Sequence, residues 1–193
     1  MIKPKKKKKN LLQVISQFVS LNEEEIAQMS SLITYSTFAK NETLREVNRV
    51  EEHIYFVESG LLCGMFNQNR REVINWFCDQ NEFITSLNSF NSQTPSFEKV
   101  VALEESNVYR IHYHDVHHLF AKYPVFERLA RVLTQRYYVS LEERSLALQC
   151  LTAKERYEDL VRLKPKLVQR ISLGQIASYL GISQETLSRV RSK

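Results

Sequence analysis

The sequence predicts an α+β chain: an antiparallel sandwich or β jelly roll, then one long helix, then a small all-helical end. Three observations carry this reading. Between residues 32 and 111, short runs rich in β-branched and aromatic residues alternate with turn-like stretches, with no helical pattern between them. From residue 124 the period turns helical, and Val125, Val132, Val139 and Leu146 recur every seven positions. The last stretch, "ISLGQIASYLGISQETLSRVRSK", has the pattern of two short helices joined at a glycine.

The elements follow in order. Leu12, Ile15, Phe18 and Val19 have helical spacing, and Asn22 stands as an N-cap before Glu23, Glu24 and Glu25. The lysines in front of them, Lys3 and Lys5 to Lys9, form a like-charge run expected to be a solvated tail. The strand region contains "LITYSTF", "HIYFVESG", "LLCGMF", "EVINWFC", "VVAL" and "VYRIHY". Turn-like "NQNR", "DQNE", "NSFNSQTPS" and "EESN" separate them. After Tyr123-Pro124 the helix runs for about seven turns, with Leu129 as a second seam position. One apolar stripe of this length asks for a partner helix, although Arg136, Glu143 and Cys150 interrupt it. Packing of the same stripe on the chain's own sandwich is the competing reading. "LTAKERYEDLVRLKP" opens on a capping box of Thr152 and Glu155, and Lys164-Pro165 ends that helix. Ser172 and Gln175 make a second capping box. The expected division is 1–123, 124–150 and 151–193.

Composition narrows the function. The chain of 193 residues carries a net charge of +5, from 27 Lys and Arg against 22 Asp and Glu. No apolar run approaches the roughly 18 residues that span a bilayer, and the basic start lacks the apolar core and cleavage site of a signal peptide. Cys63, Cys78 and Cys150 are widely spaced, which suits a reducing cytoplasm without disulfides and does not supply an iron–sulfur cluster. No Walker loop, dinucleotide fingerprint or nucleophile–base pair occurs, so no enzyme and no cofactor are expected. "HYHDVHH" would place His112 and His114 on one face of a strand beside Asp115. It is also a strand-to-helix junction, where polar residues cap and solvate, and no metal is expected there. Residues 72–109 hold a single cation, Lys99, whereas the basic cluster from Lys154 to Lys193 suits a polyanion.

In the terminal hairpin Ile176, Ala177 and Leu180 form the inner face of the first helix, and Gly181 sits where the backbone must turn sharply. Ser183 caps a second helix that turns Leu187 and Val190 inward, which is helix-turn-helix spacing. Its outward residues are Gln184, Glu185, Ser188 and Arg189, with Arg191 and Lys193 beyond. Arg bonds both N7 and O6 of guanine, Glu accepts from cytosine N4, and Gln pairs with adenine. Ser183 and Thr186 suit phosphates. The expected partner is double-stranded DNA.

Together "YFVESGLLCGMF", "LTAKER" and "ISLGQIASYLGISQETLSRVR" resemble the cyclic-AMP receptor protein/fumarate-nitrate regulator (Crp/Fnr) family of bacterial transcription factors, over nearly the whole chain. The resemblance implies a cyclic-nucleotide-binding-like jelly roll and a homodimer joined along the helix that carries Val125, Leu129, Val132, Val139 and Leu146. It further implies base reading by Glu185 and Arg189, with Gln184 where many members carry Arg, and RNA polymerase as a further partner. The family's nucleotide cassette has Gly-Glu-Leu and then Arg-Ser or Arg-Thr. Here Thr85, Ser86 and Leu87 replace the first, and Pro95, Ser96 and Phe97 lack the Arg of the second. Lys99 cannot give the bidentate geometry of an Arg. A response to cyclic AMP is therefore not expected, while an unknown small effector or none both stay open. The family's β-hairpin wing after the recognition helix is not expected either, since the sequence stops almost at once. The expected function is a cytoplasmic, dimeric DNA-binding transcription regulator. The alternative, favoured by the missing wing, is a sensor or interaction module that no longer binds specific DNA.

Overall fold

The computed structural model describes residues 8–68 and 71–192. Lys193 and the lysines before Lys8 lie outside them. Lys8 donates to the Ser30 carbonyl and Lys9 opens the first helix, so these two belong to the fold and not to the solvated tail expected of them.

Helices α1 (Lys9–Ile15) and α2 (Glu23–Leu32) precede β1 (Thr34–Phe38), β2 (Thr43–Arg45), β3 (His53–Ser59), β4 (Leu62–Gln68), β5 (Arg71–Cys78) and β6 (Phe83–Ile84). A short helix α3 (Leu87–Ser92), in the stretch read as a turn, leads to β7 (Lys99–Ala102) and β8 (Ser106–His112). The rest is helical: α4 (Tyr113–Lys122), α5 (Pro124–Cys150), α6 (Ala153–Leu163), α7 (Pro165–Arg170), α8 (Leu173–Leu180) and α9 (Gln184–Arg191). Local chemistry sets the starts. Reciprocal capping boxes open α2 (Asn22 with Glu25), α6 (Thr152 with Glu155) and α8 (Ser172 with Gln175), each satisfying two otherwise orphaned N–H groups. Pro124 and Pro165 take first-turn positions of α5 and α7, where a missing N–H costs nothing.

The strands form two antiparallel four-stranded sheets, ordered β1-β8-β3-β6 and β2-β7-β4-β5. Tyr55, Val57, Leu62, Trp76, Cys78, Ile84, Val100, Ala102 and Val108 fill the space between them. The outer face of the first sheet, with Phe56 and Tyr109, is covered by Leu11, Ile15, Met29, Leu119, Phe126 and Leu129. The outer face of the second, with Cys63, Met65, Ile74 and Phe77, runs without a break into Leu160, Leu167, Ile176, Ala177, Leu180 and Leu187. The helical end thus shares a core with the sandwich. In the β4–β5 pair, Met65 faces Ile74 while Gly64 faces Trp76, so Asn75 is an extra residue. This bulge reverses the alternation, turning Ile74 outward and Trp76 inward.

β8 ends at His112, and His114 belongs to α4, so the two do not share a strand face. His112 instead caps α4, its Nδ1 accepting from the His114 N–H at 3.2 Å. Among the described residues no group of His, Cys, Asp and Glu is placed to hold a metal, and no helix is long and apolar enough to cross a membrane.

Candidate functional site

The α8–α9 hairpin is built from the inside. Ile176, Ala177, Leu180 and Leu187 are buried, with Val190 half-buried beside them. Gly181 takes φ 66°, a left-handed conformation that costs a side-chain-bearing residue strain. Ser183 Oγ accepts from the Thr186 N–H at 3.1 Å and lies 3.1 Å from the Thr186 hydroxyl, so both hydroxyls sit together at the start of α9. With Leu187 turned inward, Gln184, Glu185, Ser188, Arg189 and Arg191 are exposed. Hydrogen bonds from Ser183 and from its own backbone N–H, helped by the charges of Arg189 and Arg71, hold the Glu185 carboxyl below its ordinary range. It is therefore an acceptor at neutral pH.

The cassette residues meet a different fate. Arg45, at the end of β2, is 7% exposed. Its Nε donates to Glu51 Oε2 at 2.7 Å, one terminal nitrogen to the Glu98 carbonyl at 2.8 Å, and the other to the Ser86 hydroxyl. Ser86 donates onward to Glu98 Oε1 at 2.7 Å, which also accepts from Trp76 Nε1 at 3.4 Å; Asn75 donates to Glu98 Oε2 at 3.1 Å. Glu51 Oε1 accepts from the His53 N–H and the Tyr55 hydroxyl, both at 3.1 Å. Burial pushes the Glu51 carboxyl up, against the pull of Arg45. The network closes on itself. Thr85 donates to the His53 carbonyl, Ser96 accepts from the Glu98 N–H, and Leu87 opens α3. Phe97 is exposed, edge-on to Phe66.

Beside this network a cleft of about 580 Å³ runs between α3 and α5, lined by Asn75, Ser86, Ser96, Glu98, Tyr137 and Leu141 among others, none of them cationic. Lys99, the cation named from sequence, is paired instead with Glu72 at 2.6 Å. A phosphate entering the cleft would meet the Glu98 carboxylate and no free cation. Sequence reasoning missed Arg45, Glu51 and Glu98. The contacts of Arg45 with Glu51 and with Glu98 span 6 and 53 residues of chain, and no local spacing marks them.

On α5 the two readings of the apolar stripe divide along the helix. Leu129 is buried, and Val125 partly buried, against the chain's own α1, α2 and α4. Leu129 is thereby withdrawn from the intermolecular seam in which the sequence placed it. Val132 is half-buried, while Val139 and Leu146 are 50% and 55% exposed, alongside exposed Tyr138, Leu141 and Leu148.

Residues 35–123 match the cyclic nucleotide-binding domain family. In fold, the chain is similar to FixK2 from Bradyrhizobium japonicum, at 20% identity over 83% of each chain with a TM-score of 0.72. It is similar also to the c-di-GMP-responsive global regulator CLP of Xanthomonas campestris, at 16% identity over 89% of this chain and 90% of that one, with a TM-score of 0.69. A third similar structure is a transcriptional regulator of the Crp/Fnr family from Eubacterium rectale, at 14% identity over 88% of this chain and 82% of that one, with a TM-score of 0.70. No curated protein matches the sequence. The resemblance to Crp/Fnr regulators thus holds for the fold: a cyclic nucleotide-binding-type sandwich with a long helix and a helical C-terminal end.

Proposed function

We propose that the chain is a cytoplasmic, homodimeric DNA-binding transcription regulator that does not answer to cyclic AMP. The observation that carries the DNA-binding reading is α9, which buries Leu187 and presents Gln184, Glu185, Ser188, Arg189 and Arg191 on one free face. Arg189 offers the planar fork that fits a guanine edge, with Gln184 and Glu185 reading neighbouring bases. Ser183, Thr186 and Arg191 hold phosphates, joined by Lys193, which lies outside the described residues. Residues 124–150 join two copies through Val132, Val139 and Leu146, and so present two recognition helices to two half-sites. The closed Arg45 network supports the absence of a cyclic-nucleotide response, because the Ser86 hydroxyl and the nearby charges already have partners within the chain.

The test is selection of binding sites from random DNA by the purified protein, followed by competition between site variants. Arg189→Ala should cost about 1–3 kcal/mol per half-site and relax the preference at one base position. An unchanged base preference would remove Arg189 from the reading face. Calorimetric titration with cyclic AMP should give no binding heat, since loss of a buried charge-assisted contact costs about 2–5 kcal/mol. A micromolar site would overturn that part.

A further inference from the structure

The antiparallel β4–β5 pair reaches the recognition helix. Ser178 of α8 fixes the hairpin to the edge strand β5: its Oγ accepts from the Ile74 N–H at 2.9 Å and donates to the Glu72 carbonyl at 3.2 Å. Tyr179 packs on Phe77 with ring centroids 5.1 Å apart. An edge that would otherwise stand open is closed by these contacts, and the start of β5 is set at a fixed place beside α9. There Arg71 lines a cleft of about 1150 Å³ whose opposite wall includes Gly174, Gly181, Ser183, Gln184 and Glu185. Arg71 is exposed. Its neighbour Glu72 is engaged by Lys99, and among the described residues Arg71 itself makes no ion pair.

We propose that Arg71 is a second DNA-backbone contact, made by the sandwich itself, beside the recognition helix. This rests on the reading of α8–α9 as a DNA-binding hairpin. An exposed guanidinium with no ion pair among the described residues, its charge reaching Glu185 only through a longer-range attraction, keeps its distance to α9 because its strand is hydrogen-bonded to the hairpin, and loses little freedom on meeting a phosphate. The cleft is walled on one side by Gln184 and Glu185, which belong to the exposed face of α9, so a nucleic-acid strand following the start of that helix passes Arg71. A small anion confined within the cleft would instead lie against the Glu185 carboxylate, which disfavours it. The partner that fits both groups is a duplex whose bases meet α9 and whose phosphates meet Arg71.

The experiment titrates the full chain against a duplex recovered by selection and against a scrambled duplex, by fluorescence anisotropy at several salt concentrations. Arg71→Ala should weaken both complexes by about 3–10-fold and flatten the slope of log K against log salt by roughly 0.9 for each half-site. Arg71→Lys should restore the slope, and Arg71→Glu should weaken binding further. Because Arg71 is exposed, an unchanged melting curve is expected for all three variants. Affinity and slope unchanged in Arg71→Ala, a loss confined to the selected duplex, or tighter binding would each overturn the proposal. If the wild type binds neither duplex, the hairpin reading itself fails and this inference falls with it. If the wild type binds and Arg189→Ala still relaxes base preference, a silent Arg71 sinks this inference alone.

Discussion

Arg45 holds the cassette together from a three-residue strand, and its removal would leave two carboxylates, Glu51 and Glu98, in a site without another cation. A buried pair broken on one side costs about 3–5 kcal/mol, so Arg45→Ala should lose that much stability in urea denaturation. Replacing both partners by apolar residues, as in Arg45→Met with Glu51→Leu, should recover a large part of the loss. If the single variant costs no more than a surface substitution, the network is not structural. His53 adds a pH dependence. Burial, then the charges of Arg110 and His112, bring it from 6.5 down to about 4, so the folded chain keeps it neutral. As pH falls, the unfolded chain takes up the proton first. Stability from this group is whole above about 6.5 and is lost progressively down to about 4. With His53 only partly buried, solvent screening leaves a loss of about 1–2 kcal/mol. His53→Gln should remove that slope from melting temperatures measured between these two values.

Among the elements, α5 does two jobs in sequence. Its first turns, around Phe126 and Leu129, cover the first sheet, and its later turns carry Val139 and Leu146 into solvent. At about 1.5 Å per residue its 27 residues span roughly 40 Å, ample for a helix-to-helix seam. Val139→Glu with Leu146→Glu should therefore give monomers in sedimentation at tens of micromolar and leave the melting of each fold nearly unchanged. A wild type that sediments as a monomer would end the dimer reading. The limits of α5 and the starts of α2, α6 and α8 were legible in the sequence because each depends on a signal within four residues: a proline at the start, or a cap three positions ahead of its acid or amide. α3 was not. Its sequence, Leu87-Asn-Ser-Phe-Asn-Ser, has weak helix propensity, and its Phe90 is held by burial and not by periodicity. The bulge at Asn75 was equally hidden, since alternation alone assigns Ile74 and Trp76 to the same face. The outward face of α9 could be read from the spacing of Ser183, Leu187 and Val190. The Arg45 network could not, because distant strands bring its members together.

At the scale of the molecule, the terminal helices read in sequence as a small separate unit, yet their core is continuous with the second sheet. Arg170 ties the same two parts together. It reaches Asp79 and Glu104, each at 2.6 Å, and the Gly60 carbonyl at 2.9 Å, touching three turns at one end of the sandwich. Arg170→Ala should lower global stability by about 1–2 kcal/mol, with the pairs partly screened by solvent. Amide exchange should quicken in α7 to α9 more than in the sandwich interior. Uniform quickening would mean that this end has no independence to lose. Trp76 has a consequence of another kind. It is the sole tryptophan; Gly64 opposite makes room for it, since a Cβ there would lie 2.2 Å from the indole, and its N–H points at Glu98. The chain therefore carries its own fluorophore at the cassette. Light that excites this one indole reports on the dryness and charge of its surroundings. A solute that reaches Glu98, or a mutation that opens the Arg45 network, should move the emission to a new wavelength, while DNA on α9 leaves it in place. Unlabelled protein in a plate reader would then be enough to search a compound collection for an effector.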